Sequence, residues 1–105
     1  MLSYAQKKLT YEQKFARLLG ERIRTRRKAL GFSQRTLTES VNLHPGGLAL
    51  YREMLCRIEL GKVLPSVVLL IILAEKLNVK WDYWLEDLEE ALDDGKTKKT
   101  KKRFP

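Results

Sequence analysis

Residues 67–74, VVLLIILA, form an unbroken apolar run in a chain that is otherwise dense in charge. Eight residues fall far short of the ~20 that span a bilayer, so the run belongs in a protein interior. Ser66, directly after Pro65, offers an N-cap hydroxyl for a helix that begins there and reaches Leu77. A helix that is apolar all round is expected at the centre of a core, with other elements packed about it.

The flanking sequence supplies those elements as further helices. Thr10-Tyr-Glu-Gln13 has the hydroxyl and the amide three residues on that make a capping box, and Phe15, Leu19, Ile23 and Leu30 recur at helical spacing before Gly31. This predicts a first helix over 11–30. Ser33 caps a short second helix over 34–41, with Leu37 and Val41 four apart on one face. Asn-Leu-His-Pro-Gly-Gly over 42–47 then reads as a loop. A third helix is expected over 48–60, stopping at Gly61, with Leu48, Tyr51, Leu55 and Ile58 as its apolar stripe. A fifth opens at Lys80 or Asp82 and places Trp81, Trp84, Leu85, Leu88 and Leu92 on one face. Five helices and no credible strand define an all-α, compact five-helix domain with an extended turn before the third helix. The expected organisation is an N-terminal arm over 1–9, the domain over 10–94 and a basic tail over 95–105.

A length of 105 residues suits one such domain. Its 21 Lys and Arg against 13 Asp and Glu give a net charge of +8, an excess that attracts phosphate backbones or anionic surfaces before any specific contact forms. The charge is unevenly spread. Residues 1–36 hold ten bases and two acids, 82–94 hold seven acids and no base, and 95–105 hold six bases and no acid. Cys56 is the only cysteine and His44 the only histidine, which leaves no intramolecular disulfide, no Cys-based zinc site and no His cluster for a metal. No cofactor is expected. No Ser-His-Asp arrangement, Gly-rich phosphate loop or paired catalytic carboxylates can be argued, so an enzyme is not expected. The first fifteen residues lack the continuous apolar stretch of a secretory signal, and a reducing cytoplasm is the expected location.

Three strings, LGERIRTRRKALGFSQRTL, CRIELGKVLPS and LAEKLNVKWDYWLED, follow one another in the chain. Their order and spacing resemble the helix-turn-helix family of phage repressors, Cro proteins and bacterial Xre-type regulators over about residues 18–88. The resemblance implies a sequence-specific DNA-binding transcriptional regulator, a repressor that binds operator DNA as a homodimer with one third helix in each half-site. It implies an ion pair between Arg27 and Glu59, joining the first helix to the end of the third, for which an arginine fork and a carboxylate are well matched. It places Gln34 at the start of the second helix as a phosphate anchor. Arg52 and Glu53 fall at leading base-reading positions and Arg57 at a later one. Arginine can bond guanine O6 and N7 together, and glutamate can accept from cytosine N4. Tyr51 lies near the start of that helix, to pack on the fold or touch a phosphate, and Lys62 just past its end is placed to reach a phosphate.

One departure from the family is plain. Glu59 follows Gln34 by 25 residues, about seven more than the motif usually places between these landmarks. The extra residues centre on His-Pro-Gly-Gly and part of Leu-Ala-Leu. They can lengthen the third helix, form a loop that touches DNA or a partner, or obstruct groove insertion. The alternative reading is a protein-interaction module such as an antitoxin, using the acidic fifth helix or the 42–50 insertion as its surface. The dimer interface is expected on the fifth helix and the tryptophan region, or on 1–9. The tail over 95–105 is too charged and too poor in apolar residues to pack, and is expected to add sequence-independent phosphate attraction. Deleting 96–105 should therefore weaken binding to all duplexes alike and flatten the dependence of log K on log salt by about 0.9 for each phosphate that the tail neutralises. Titrations at several salt concentrations check this, and weakening confined to one duplex would instead make the tail a base reader.

Overall fold

The computed structural model describes residues 9–92, all of it helix and connecting chain with no strand. The expected arm up to residue 8, the acids Asp93 and Asp94 and the tail over 95–105 lie outside the described residues. The elements are α1 (Tyr11–Ala29), α2 (Gln34–Asn42), α3 (Arg52–Glu59), α4 (Val67–Lys76), a 3-10 helix (Trp81–Leu85) and α5 (Leu88–Leu92). Among the described residues no helix is long and apolar enough to cross a membrane.

Local chemistry sets the starts of three of these helices. Thr10 Oγ1 accepts from the Gln13 N–H at 3.0 Å while Gln13 Oε1 accepts from the Thr10 N–H at 2.9 Å, a reciprocal cap on α1. Ser33 Oγ accepts from the Thr36 N–H at 3.0 Å at the start of α2, and Ser66 Oγ from the Leu69 N–H at 3.1 Å at the start of α4. The apolar faces then meet in one core, where Leu19 and Ile23 of α1, Leu37 of α2, Leu55 and Ile58 of α3 and Leu73 of α4 are essentially inaccessible.

The structure corrects three sequence expectations. The third helix starts at Arg52 rather than Leu48, and residues 48–51 are non-helical. In that stretch Leu48 is half-buried, Ala49 exposed, Leu50 buried and Tyr51 exposed. This alternation with period two is the mark of extended chain. Leu50, not Tyr51, thus fills the core, and Tyr51 is 70% exposed. The fifth helix is broken. Glu86 is extended and Asp87 takes φ 53°, so the 3-10 helix ends before α5 begins. Trp84 is fully buried, with its indole N–H donating to the Leu70 carbonyl at 2.9 Å, whereas Trp81 stands 60% exposed instead of sharing that face. Finally, α4 is not covered all round: Leu69, Ile72, Leu73 and Ala74 enter the core while Val67, Val68 and Ile71 remain exposed.

The crossing of α1 over α3 depends on Gly20. A Cβ at that position would run into the Ile58 carbonyl oxygen and lie 2.8 Å from that of Glu59, both of them backbone atoms of α3. Past the end of α3 the approach continues at Gly61, which has φ 78° and whose added Cβ would lie 2.7 Å from Arg17 Cα. We expect Gly20→Ala to destabilise the protein by about 1–3 kcal/mol or more, because helix backbones must separate to admit one methyl. The gain in intrinsic helix propensity, about 1 kcal/mol, offsets this only in part. Urea unfolding checks the sign, and a stabilised variant would show that the helices separate freely.

Candidate nucleic-acid interface

The α1, α2 and α3 segments converge on one carboxylate. Arg27 of α1 donates from Nε to Glu59 Oε2 at 2.7 Å and from Nη2 to Glu59 Oε1 at 2.9 Å, with both side chains buried. The remaining arm of the guanidinium, Nη1, donates to the Phe32 carbonyl at 2.8 Å in the α1–α2 connection. Gln34 Nε2 adds a third hydrogen bond to Glu59, at 3.0 Å on Oε1. The hydrogen bonds to Glu59 outweigh burial and hold Arg27 charged to still higher pH than a free arginine. The cluster fixes the end of α3 against both preceding helices.

This geometry places the sequence-derived residues as follows. Gln34 opens α2, and one of its two amide hydrogens is engaged by Glu59, which leaves the second amide hydrogen and the uncapped backbone N–H groups of the first helical turn as donors. Tyr51 is the N-cap residue of α3 and makes no side-chain capping bond. Arg52, Glu53 and Arg57 are exposed on α3, and Lys62 is exposed just beyond it. Gln34, Tyr51, Arg52, Glu53 and Cys56 line one open groove of about 560 Å³ between the start of α2 and the outer face of α3. Arg57 and Lys62 lie outside that lining, toward the end of α3. Glu53 and Arg57 are one turn apart on the same face, whereas Arg52 and Arg57 point in different directions.

Several contributors carry no clear signal in the sequence. Arg22 Nη1 donates to the Trp84 carbonyl at 2.9 Å, and Arg26 Nε to the Leu77 carbonyl at 2.9 Å. Two of the basic residues of α1 therefore tie down the end of α4 and the 3-10 helix, rather than presenting their forks outward. An i, i+4 count could have put them on the face next to Ile23, but not identified the carbonyls they meet. Asn42 and Leu50 exchange two hydrogen bonds, Asn42 Nδ2 donating to the Leu50 carbonyl at 2.9 Å and the Leu50 N–H donating to Asn42 Oδ1 at 2.6 Å. His44 lies in the same loop, and its Nε2 donates to Glu75 Oε1 of α4 at 3.1 Å while Nδ1 accepts from the Gly46 N–H at 2.9 Å. Asn-Leu-His-Pro-Gly-Gly signals the loop itself, but not the distant partners of Asn42 and His44.

Removing Glu59 would leave the Arg27 guanidinium buried without a counter-charge. Glu59→Ala should cost about 3–5 kcal/mol, well beyond an average surface change. Thermal and urea unfolding measure it, and a midpoint equal to the parent's would remove the pair from the account of the fold.

Comparison with known proteins gives a similarity of limited reach. The chain is 33% identical over 79 residues to an uncharacterised HTH-type transcriptional regulator of Rickettsia prowazekii (strain Madrid E). The match takes in 75% of this chain and 55% of the relative, so the chain spans about half the length of the regulator it resembles. No family model matches the sequence, and no solved structure matches it.

Proposed function

We propose that this chain is a cytoplasmic, sequence-specific DNA-binding transcriptional regulator, a repressor of the Cro and Xre type that binds operator DNA as a homodimer and catalyses no reaction. The observation that carries this reading is the exposed Arg52, Glu53 and Arg57 on a short helix whose far end is clamped to α1 and α2 through Glu59. A rigid helix with an outward guanidinium and carboxylate offers the donors and acceptors that read guanine and cytosine edges in the major groove. The similarity to a protein named an HTH-type transcriptional regulator supports it, as does the net charge of +8.

In this reading Arg52 bonds a guanine and Glu53 accepts from a cytosine, while Arg57 and Lys62 hold phosphates at the other end of α3. The first-turn N–H groups at Gln34 anchor a further phosphate, with Tyr51 beside the groove. Two copies double the number of bases read, which one short helix does not supply alone. The exposure of Trp81 and of Leu85, both in the 3-10 helix, supports a dimer contact in the tryptophan region.

Selection of bound duplexes from a random pool tests the reading, since it reports specificity, half-site spacing and two-fold symmetry together. A steep fall of affinity with salt and a palindromic preferred site are expected. With that site in hand, Arg52→Ala should cost about 1–3 kcal/mol and relax preference at one base pair, and Arg57→Ala should weaken all sites more evenly. Affinities for each single-base variant of the site separate the two. Unchanged specificity in both variants would move recognition off α3.

A further inference from the structure

The start of α3 is held differently from the starts of the other long helices. Side-chain hydroxyls cap α1, α2 and α4, whereas the N-cap residue of α3, Tyr51, gives no side-chain hydrogen bond and points to solvent. The chain before it is a nine-residue connection, 43–51, long enough to let α3 begin at many places and angles. It is nevertheless restrained at two points, Leu50 and His44. Asn42, the last residue of α2, pairs with both backbone groups of Leu50. Leu50 itself is 2% exposed in the core. Near the middle, His44 spans from the Gly46 N–H to Glu75, strapping the loop onto α4. Since Nδ1 accepts from Gly46, the proton sits on Nε2 and is donated to the carboxylate.

We propose that Asn42 is a specificity-determining positioning residue, which replaces the missing cap by pinning the chain at Leu50 and so fixes the first turn of α3, with the His44–Glu75 contact holding the extra loop back on α4. The proposal rests on the reading of α3 as the base-reading helix. Leu50 stands two residues before Arg52, so the bridge is the last fixed backbone point before the first base-reading side chain. A small rotation there sweeps the Arg52 guanidinium across a base pair, while the phosphate contacts, made by the long side chains of Arg57 and Lys62 at the far end of α3 and by backbone N–H groups of α2, carry no sequence information and tolerate it. Asn42 itself is exposed, so its replacement leaves no cavity in the core.

The test compares the full chain with Asn42→Ala and Asn42→Asp, using the duplex that the parent selects from a random pool and a scrambled duplex of equal length. Circular dichroism and thermal melts fix the folded fraction, and amide exchange at Leu50 reports the bridge. Asn42→Ala should remain folded at the assay temperature, lose protection at the Leu50 N–H and bind the selected duplex about tenfold more weakly. Its affinity for the scrambled duplex should change by less than about twofold, because its phosphate-facing charges are intact. Asn42→Asp keeps the acceptor for the Leu50 N–H and loses the donor, so its selectivity should fall between the two. If Asn42→Ala keeps the parent's ratio of selected to scrambled affinity, or loses both in proportion to its folded fraction, Asn42 has no positioning role. A parent chain that selects no duplex would overturn the base-reading function of α3 and this proposal with it, whereas a selective parent with an equally selective Asn42→Ala overturns only the proposal.

Discussion

Glu59 accepts three hydrogen bonds, two from Arg27 and one from Gln34, at the place where α1, α2 and α3 meet. Transferring a carboxylate and a guanidinium out of water costs several kcal/mol per ion, and the cost is recovered only if the geometry is close and the remaining hydrogen-bonding capacity is filled. Here it is filled. The forked contact uses both carboxylate oxygens, and the third arm of the guanidinium is taken by the Phe32 carbonyl. No described buried side-chain polar atom lacks a partner. An apolar contact in the same place would tolerate sliding, whereas a forked ion pair holds only in one register. Gly20 and Gly61 let the backbones approach closely enough for that register to be reached.

Contacts made by α1 within the fold change the meaning of the positive charge. A block of bases over 1–36 reads in the sequence as a surface for phosphates, yet Arg22, Arg26 and Arg27 each spend donors on groups inside the protein. Arg22 and Arg26 neutralise the partial negative charge of carbonyls at the end of α4 and in the 3-10 helix. Their positive charge still contributes to the long-range field, but their directional contacts do not face outward. Arg52 and Arg57 on α3 and Lys62 after it are fewer in number but exposed.

Legibility from the sequence follows the range of the interaction. The capping residues Thr10, Ser33 and Ser66 act within three residues, and each holds the helix start that its spacing suggests. The extended stretch over 48–51 reads as helix because Leu48, Tyr51, Leu55 and Ile58 match a helical period, while the competing two-residue alternation of Leu48 and Leu50 is too short to stand out. The extended form places Leu50 in the core and pairs both of its backbone groups with the Asn42 side chain eight residues away, contacts that the local spacing does not reveal. In the same way Trp81 through Leu92 match one helical face, but the backbone turns at Asp87, and Trp84 alone of the two tryptophans goes inward, to the Leu70 carbonyl. The apolar run of α4 is buried on one side only; its composition does not say that Val67, Val68 and Ile71 stay exposed while Leu69, Ile72, Leu73 and Ala74 enter the core.

By itself, then, the chain determined an all-helical fold, the starts of α1, α2 and α4, and the excess of positive charge, because caps, periodicity and composition are local properties of the polypeptide. Only the tertiary structure decided which bases turn inward, where α3 begins and how the long connection before it is secured. Those outcomes depend on partners such as Glu59 for Gln34, Leu77 for Arg26 and Glu75 for His44, which lie 25, 51 and 31 residues apart in the chain. A side chain's local sequence sets the direction in which it can reach, and packing of the core sets what it finds there.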